Sequence, residues 1–162
     1  MKRIAGHQLA QIIPYFEQAA TVARNAKCRQ SKCGSVIVYD GQIIGSGYNG
    51  PPLDDESRRT CGAVLDRSKK PKYDLTCCIH AEWRAILDGL IKHPTKMKGS
   101  CLYFMRVDDE GKFTDAGQPY CTTCSRLAME AGIAQFALWN KNGADVYNLP
   151  EYDRLSYEFH RP

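Results

Sequence analysis

The chain has 162 residues, 43% of them hydrophobic and 25% charged, proportions of neither a disordered nor a membranous chain, which indicate a globular domain with a core of its own, read here as a single domain over 1–162. No run approaches the 18 apolar residues of a membrane span, and residues 1–6 lead into polar positions instead of the apolar core of an export signal, so the expected location is cytoplasmic, without a membrane partner. A net charge of +4 argues against a protein built to grip a nucleic-acid backbone, and eight cysteines without an export signal point to metal binding or reduced thiols over disulfides.

In chain order, residues 1–11 read as a short arm. Residues 12–26 are predicted as the first helix, with Pro14 in its first turn and Ile13, Phe16, Ala20 and Ala23 recurring along one face. The basic cluster Arg24, Lys27, Arg29 and Lys32 reads as a solvated helix end, with anion contact as the alternative. A hairpin follows, 35–39 and 42–46, turning at Asp40-Gly41. Gly45, Gly47 and Gly50 around Tyr48-Asn49 suggest a backbone that must bend and come close to something. Residues 51–76 form a polar insertion with Asp54, Asp55, Glu56, Arg58, Arg59, Asp66, Arg67, Lys69, Lys70 and Lys72, too long for a mere connector. Arg58 and Arg59 are its candidate phosphate or effector contacts, against a solvated loop.

His80 and Glu82 stand where a loop gives way to a helical pattern through Ala85, Ile86 and Leu90, which closes at His93-Pro94. His93, like His7 and His160, reads as a capping or surface residue. Residues 101–107 are apolar enough for an interior strand, and 108–118 form a second polar excursion. Pro119-Tyr120-Cys121-Thr122-Thr123-Cys124 then opens another helix that stops at Gly132, and 133–139 supply a further buried strand. The tail, 145–162, folds back or packs on a neighbour through Tyr147, Tyr152, Leu155, Tyr157 and Phe159. Strand, helix, strand, helix, strand is an α/β succession implying parallel pairing with helices on the sheet faces; Trp83 and Trp139 read at least as readily as core or interface residues as they do as substrate stackers.

His80, Cys121 and Cys124 are three donors for Zn²⁺, which prefers four, so a fourth position is left for water; structural zinc is normally closed by four protein ligands. Glu82, beside His80 but not a ligand, suits the work of a proton carrier. Cys28, Cys33, Cys61, Cys77, Cys78 and Cys101 remain. They read as free packed thiols, with a second, structural zinc on Cys61 and Cys77 or Cys78 as the alternative.

His80-Ala81-Glu82 followed by Cys121-x-x-Cys124, with Gly47-Tyr48-Asn49-Gly50-Pro51-Pro52 upstream, resembles the zinc-dependent cytidine and deoxycytidylate deaminase superfamily over roughly residues 14–140, and deoxycytidylate deaminases most. The resemblance implies a three-layer α/β/α fold, a mixed central sheet of about five strands with helices on both faces. It implies hydrolytic deamination of a cytosine nucleotide, most readily dCMP to dUMP. Free cytidine or deoxycytidine, another nucleobase, a tRNA or single-stranded nucleic acid, and a non-catalytic zinc module are the alternatives. It also implies Glu82 as the catalytic residue, pyrimidine contacts from Ala81 and the Asn49 loop, with Tyr48 and Tyr120 beside them, a homo-oligomer, and a deoxynucleoside triphosphate effector. In some such deaminases a second zinc is present. Two departures from the pattern, Arg84 and Tyr120, bear on the substrate: many deoxycytidylate deaminases have Asn at the first, and the family's Pro stands one place early here, at Pro119.

Overall fold

Asp40 and Gly41 both take positive φ, 47° and 73°, the left-handed pair that matches a tight turn to the twist of its strands. They join β2 (Lys32–Tyr39) to β3 (Gln42–Tyr48), paired Tyr39 to Gln42 at the turn, with a register shift at Ile37/Val38. The computed structural model describes residues 1–63, 68 and 77–159. Within them the elements run β1 (Lys2–Ile4), α1 (Gly6–Ala23), β2, β3, α2 (Ala81–Lys92), β4 (Cys101–Val107), β5 (Phe113–Thr114), α3 (Thr122–Glu130), β6 (Gln135–Asn140), β7 (Gly143–Asn148) and α4 (Leu149–Glu158).

The sheet has seven strands in the order β1-β7-β6-β4-β2-β3, with β5 beside β4. The count exceeds the expected five because β1 extends the β7 edge and the short β5 folds back on β4. Parallel pairing occurs where the α3 crossover links β4 to β6. The α2 crossover returns the chain past β2, so β2 lies antiparallel between β3 and β4.

Alternation along each strand divides the core into two layers. Val36, Val38, Tyr103, Met105 and Ala137 pack with Phe16, Ala19, Ala20 and Ala23 of α1. Ile37, Leu102, Phe104, Phe136 and Leu138 pack with Ala81, Ala85 and Ile86 of α2, Ala128 of α3, and Leu149 and Tyr152 of α4. The architecture is therefore α/β/α, with one helix on one face and three on the other.

Two sequence expectations are corrected. The arm is a strand and a helix start: α1 begins at Gly6, and Pro14 lies inside it. Ala5 makes no side-chain cap and Gly6 enters with φ 55°, so the usual start signals are missing. Pro14 and Ala10 are exposed, so the backbone bond that proline forgoes falls on the solvent side. The tail is also more regular than expected: β7 pairs antiparallel with β6, and α4 is capped by Asn148, whose side chain accepts the Glu151 N–H at 2.9 Å. Most of the later part of the polar insertion, including Asp66, Arg67, Lys69, Lys70 and Lys72, lies outside the described residues, as does His160. Among the described residues no helix is long and apolar enough to cross a membrane.

Candidate metal centre and substrate cavity

Both halves of the site sit at helix starts, and glycine lets the first come close to the sheet. A Cβ on Gly47 would lie 2.4 Å from the Ala81 carbonyl oxygen and 2.4 Å from the Ala85 nitrogen; one on Gly45 would lie 2.4 Å from the Ala85 oxygen. The close approach read from these glycines is thus to α2, and it seats the N-terminus of α2 against β3. His80 is the N-cap residue of α2 and Cys121 that of α3. The Cys121 Sγ accepts the Cys124 backbone N–H at 3.3 Å, one of the donors a helix start leaves unused.

His80 Nδ1 stands 3.2 Å from Cys124 Sγ and 3.5 Å from Cys121 Sγ, and the three donor atoms lie within 4.8 Å of one another. A tetrahedral zinc with Zn–N of about 2.0 Å and Zn–S of about 2.3 Å separates such donors by roughly 3.6 Å. The donor set therefore fits Zn²⁺ in both chemistry and spacing. Trp83 lies beside the imidazole, ring centroids 5.4 Å apart.

The electrostatics agree. The Cys124 thiol, backed by the His80 imidazole, holds Cys121 down at about 4 although burial opposes its ionisation. Burial drives Cys124 up, and the hydrogen bond to Cys121 raises His80 against its own burial. Glu82 is 7% exposed, and that burial raises its carboxyl pKa against the pull of His80, a shift toward the range where a carboxyl both takes and gives protons.

A cavity of about 330 Å³ opens over the trio, lined in part by Asn49, Ala81, Glu82, Phe104, Arg106, Gln118, Tyr120 and Tyr152, a size in the range of small-molecule sites. Ala81, at the first turn of α2, is buried in its wall, and Tyr120 is 51% exposed at it. Asn49 also lines it, but its carboxamide ties the chain together: Oδ1 accepts the Cys33 N–H at 2.9 Å and Nδ2 donates to the Ser31 carbonyl at 2.9 Å.

Tyr48, Arg58 and Arg59 are placed elsewhere. The Tyr48 hydroxyl donates to Asp54 and its ring lies under Arg84, 4.9 Å from guanidinium carbon to centroid. Arg84 donates to Asp54 Oδ1 and to the Pro51 carbonyl, both at 2.7 Å. The departure at Arg84 is thus a clamp that fixes the 47–54 loop to α2. Leu53 and Asp54 both have positive φ, 57° and 58°, which turns Asp54 back toward Tyr48. Arg58 pairs with Asp55; Arg59 pairs with Glu56 and donates to the Lys27 carbonyl at 2.7 Å. Neither lines the cavity, because each is taken up by an acid three residues before it.

The thiols alternatively read as a second zinc site are free and neighbour one another in a row, Cys28 by Cys78, Cys78 by Cys77 and Cys77 by Cys61. Among the described residues, His80, Cys121 and Cys124 form the group whose donors converge on one point. Sequence reading missed Arg106 and Gln118, which reach the cavity only through the β4–β2 register and the β5 excursion.

The family model for the cytidine and deoxycytidylate deaminase zinc-binding region matches residues 10–139. The deoxycytidylate deaminase of Mycobacterium phage D29 is 32% identical over 126 residues, 74% of this chain and 87% of the relative. That of Schizosaccharomyces pombe is 30% identical over 150 residues, 85% of this chain but 38% of the longer relative. Among solved structures, the dCMP deaminase of cyanophage S-TIM5 in complex with dCMP and dUMP aligns with a TM-score of 0.54 at 21% identity, covering 76% of each chain. A cytidine deaminase from Burkholderia pseudomallei aligns at 0.57 and 17% identity, covering 86% of this chain and 94% of the other; both likenesses concern the fold.

Proposed function

The chain belongs to the cytidine and deoxycytidylate deaminase zinc-binding family, and from that premise we propose that it is a hydrolytic deaminase converting dCMP to dUMP and ammonia. The observation that carries the reading is the buried carboxyl of Glu82 in the same cavity as the converged His80, Cys121 and Cys124 donors. The substrate is supported by the phage and yeast relatives, which are deoxycytidylate deaminases over most of this chain.

His80, Cys121 and Cys124 hold the zinc, which when bound acts as a Lewis acid that brings the pKa of water from about 15.7 to about 7. Glu82 accepts a proton from the attacking water and delivers it to N3 of the cytosine ring. It then passes the second proton to the exocyclic amine, so that water and cytosine become uracil and ammonia. The backbone N–H of Ala81, without a helical partner at the first turn of α2, holds the pyrimidine edge. Asn49 and Tyr120 shape the cavity wall around the sugar, and the low exposure of Glu82 keeps bulk water from short-circuiting its proton transfers.

The same reading includes a cytoplasmic homo-oligomer. Leu87 and Ile91 project from α2 at 52% and 80% exposure, an apolar surface suited to a second copy. Ammonia release from dCMP, deoxycytidine, cytidine, guanine and an RNA hairpin, with and without added deoxynucleoside triphosphates, tests substrate and effector together. Glu82→Gln removes turnover by at least the 10²–10⁴-fold typical of a general acid–base while zinc stays bound. Ammonia release surviving that change would remove Glu82 from the mechanism.

A further inference from the structure

We propose that Arg106 is the specificity residue of this cavity, meeting the phosphate of the substrate at its mouth; the proposal rests on the deaminase reading above. The zinc ligands and Glu82 fix where the amino-bearing carbon of the base must sit. A 5′-phosphate then lies at the other end of the molecule, away from α2. Arg106 is placed there by the sheet. Leu102 and Phe104 face the layer that holds α2 and α3, and alternation along β4 puts Arg106 on the same face, one step nearer the carboxyl end of the strand. It sits across from Cys33 of β2 and lines the cavity together with Gln30, Ser31 and Gln118.

Charge distinguishes this arginine from Arg58 and Arg59, the phosphate candidates of the sequence, and from Arg84. Arg58, Arg59 and Arg84 are each paired with a carboxylate, whereas among the described residues Arg106 has no such partner. The acids that follow it are otherwise engaged: Asp108 Oδ1 accepts the Lys112 N–H at 2.7 Å and Asp109 pairs with Lys32. Its neighbours at the mouth, Gln30, Ser31, Gln118 and the Cys33 thiol it contacts across the ladder, are neutral side chains, and the carboxylate lining the cavity, Glu82, is needed at the base. A guanidinium with no carboxylate beside it is suited to a phosphate, which it can bind through two parallel hydrogen bonds.

The test uses the zinc-loaded full chain. Arg106→Ala lowers the ratio of kcat/KM for dCMP over deoxycytidine about 10- to 100-fold, the size of a charge-assisted hydrogen bond, with most of the change in KM; Arg106→Lys recovers part of it. A ratio unchanged within about two-fold, or an equal fall for both substrates, overturns the assignment while leaving the deaminase reading intact. Wild-type protein that releases no ammonia from either substrate overturns the deaminase reading instead. Calorimetric affinities for dCMP and deoxycytidine in the Glu82→Gln background then decide Arg106 independently: a preference for dCMP lost on Arg106→Ala supports the assignment, and a preference unaffected refutes it.

Discussion

Gly47→Ala tests whether the packing of α2 on β3 sets the zinc site. The added methyl would stand 2.4 Å from both the Ala81 oxygen and the Ala85 nitrogen, where ordinary contact begins at 3.4 Å. Relief therefore requires the start of α2 to move by about 3.4 − 2.4 = 1.0 Å, since the atoms met are backbone and cannot rotate away. Overpacking of this kind costs about 1–3 kcal/mol, which for a chain of this size lowers Tm by roughly 2–12 °C. The site suffers more than the fold, because metal sites tolerate about 0.2 Å in ligand distance and a 1 Å misplacement costs on the order of 10²-fold in rate. Gly34→Ala is the matched comparison: its methyl would meet the Ala19 oxygen at 2.1 Å, on the α1 face, away from the ligands. Thermal melts, zinc content by mass spectrometry and ammonia release separate the two. Both variants lose stability, but only Gly47→Ala loses zinc and turnover at temperatures where it remains folded. Equal zinc loss in both, or a Gly47→Ala protein with wild-type zinc and rate, refutes the reasoning.

Other consequences are open to measurement. Cys121→Ala, or treatment with a chelator, removes the zinc and lowers Tm, and added Zn²⁺ restores rate and Tm to the chelated wild type but not to the variant; a chelated protein that keeps its rate would falsify the metal assignment. Asp54→Asn, which Asn tolerates at positive φ, frees the Arg84 clamp, and protease cleavage within residues 47–59 rises while zinc content stays constant. Although burial opposes it, the bonds from Tyr48 and Arg84 hold the Asp54 carboxyl below the usual carboxylate range. The clamp is therefore present in full above about pH 3.9 and is lost as pH falls through the lowered value. The stability gap between wild type and Asp54→Asn accordingly stays constant from pH 5 upward and shrinks below about pH 3; a gap that widens in acid would contradict the tether.

What could be read in the sequence was whatever depends on local geometry. Asp40-Gly41 announces its turn, Gly132 at φ 82° ends α3 where a left-handed residue is needed, and His80, Glu82, Cys121 and Cys124 carry a spacing that few other chemistries need. The rest depends on contacts distant in sequence. Tyr48 reads in the sequence as a substrate contact and Arg84 as a departure bearing on the substrate, because their common partner, Asp54, is reached only by two left-handed residues inside a polar insertion. Nothing local singles out Arg106 within the 101–107 strand, because the register that aims it at the cavity is a property of β2 and β4 together. The helical start at Gly6 lacks a capping side chain, and Pro14, read as a first-turn residue, advertises a start at residue 12, six residues later.

The crossovers carry a further consequence for assembly. Cys121 and Cys124 stand 41 and 44 positions from His80 along the chain, and their helices are brought together by a sheet in which β4 lies between β2 and β6. A cation held by all three donors would tie two separately wound segments of the chain together, so the site can form only in a chain whose strands have taken this order.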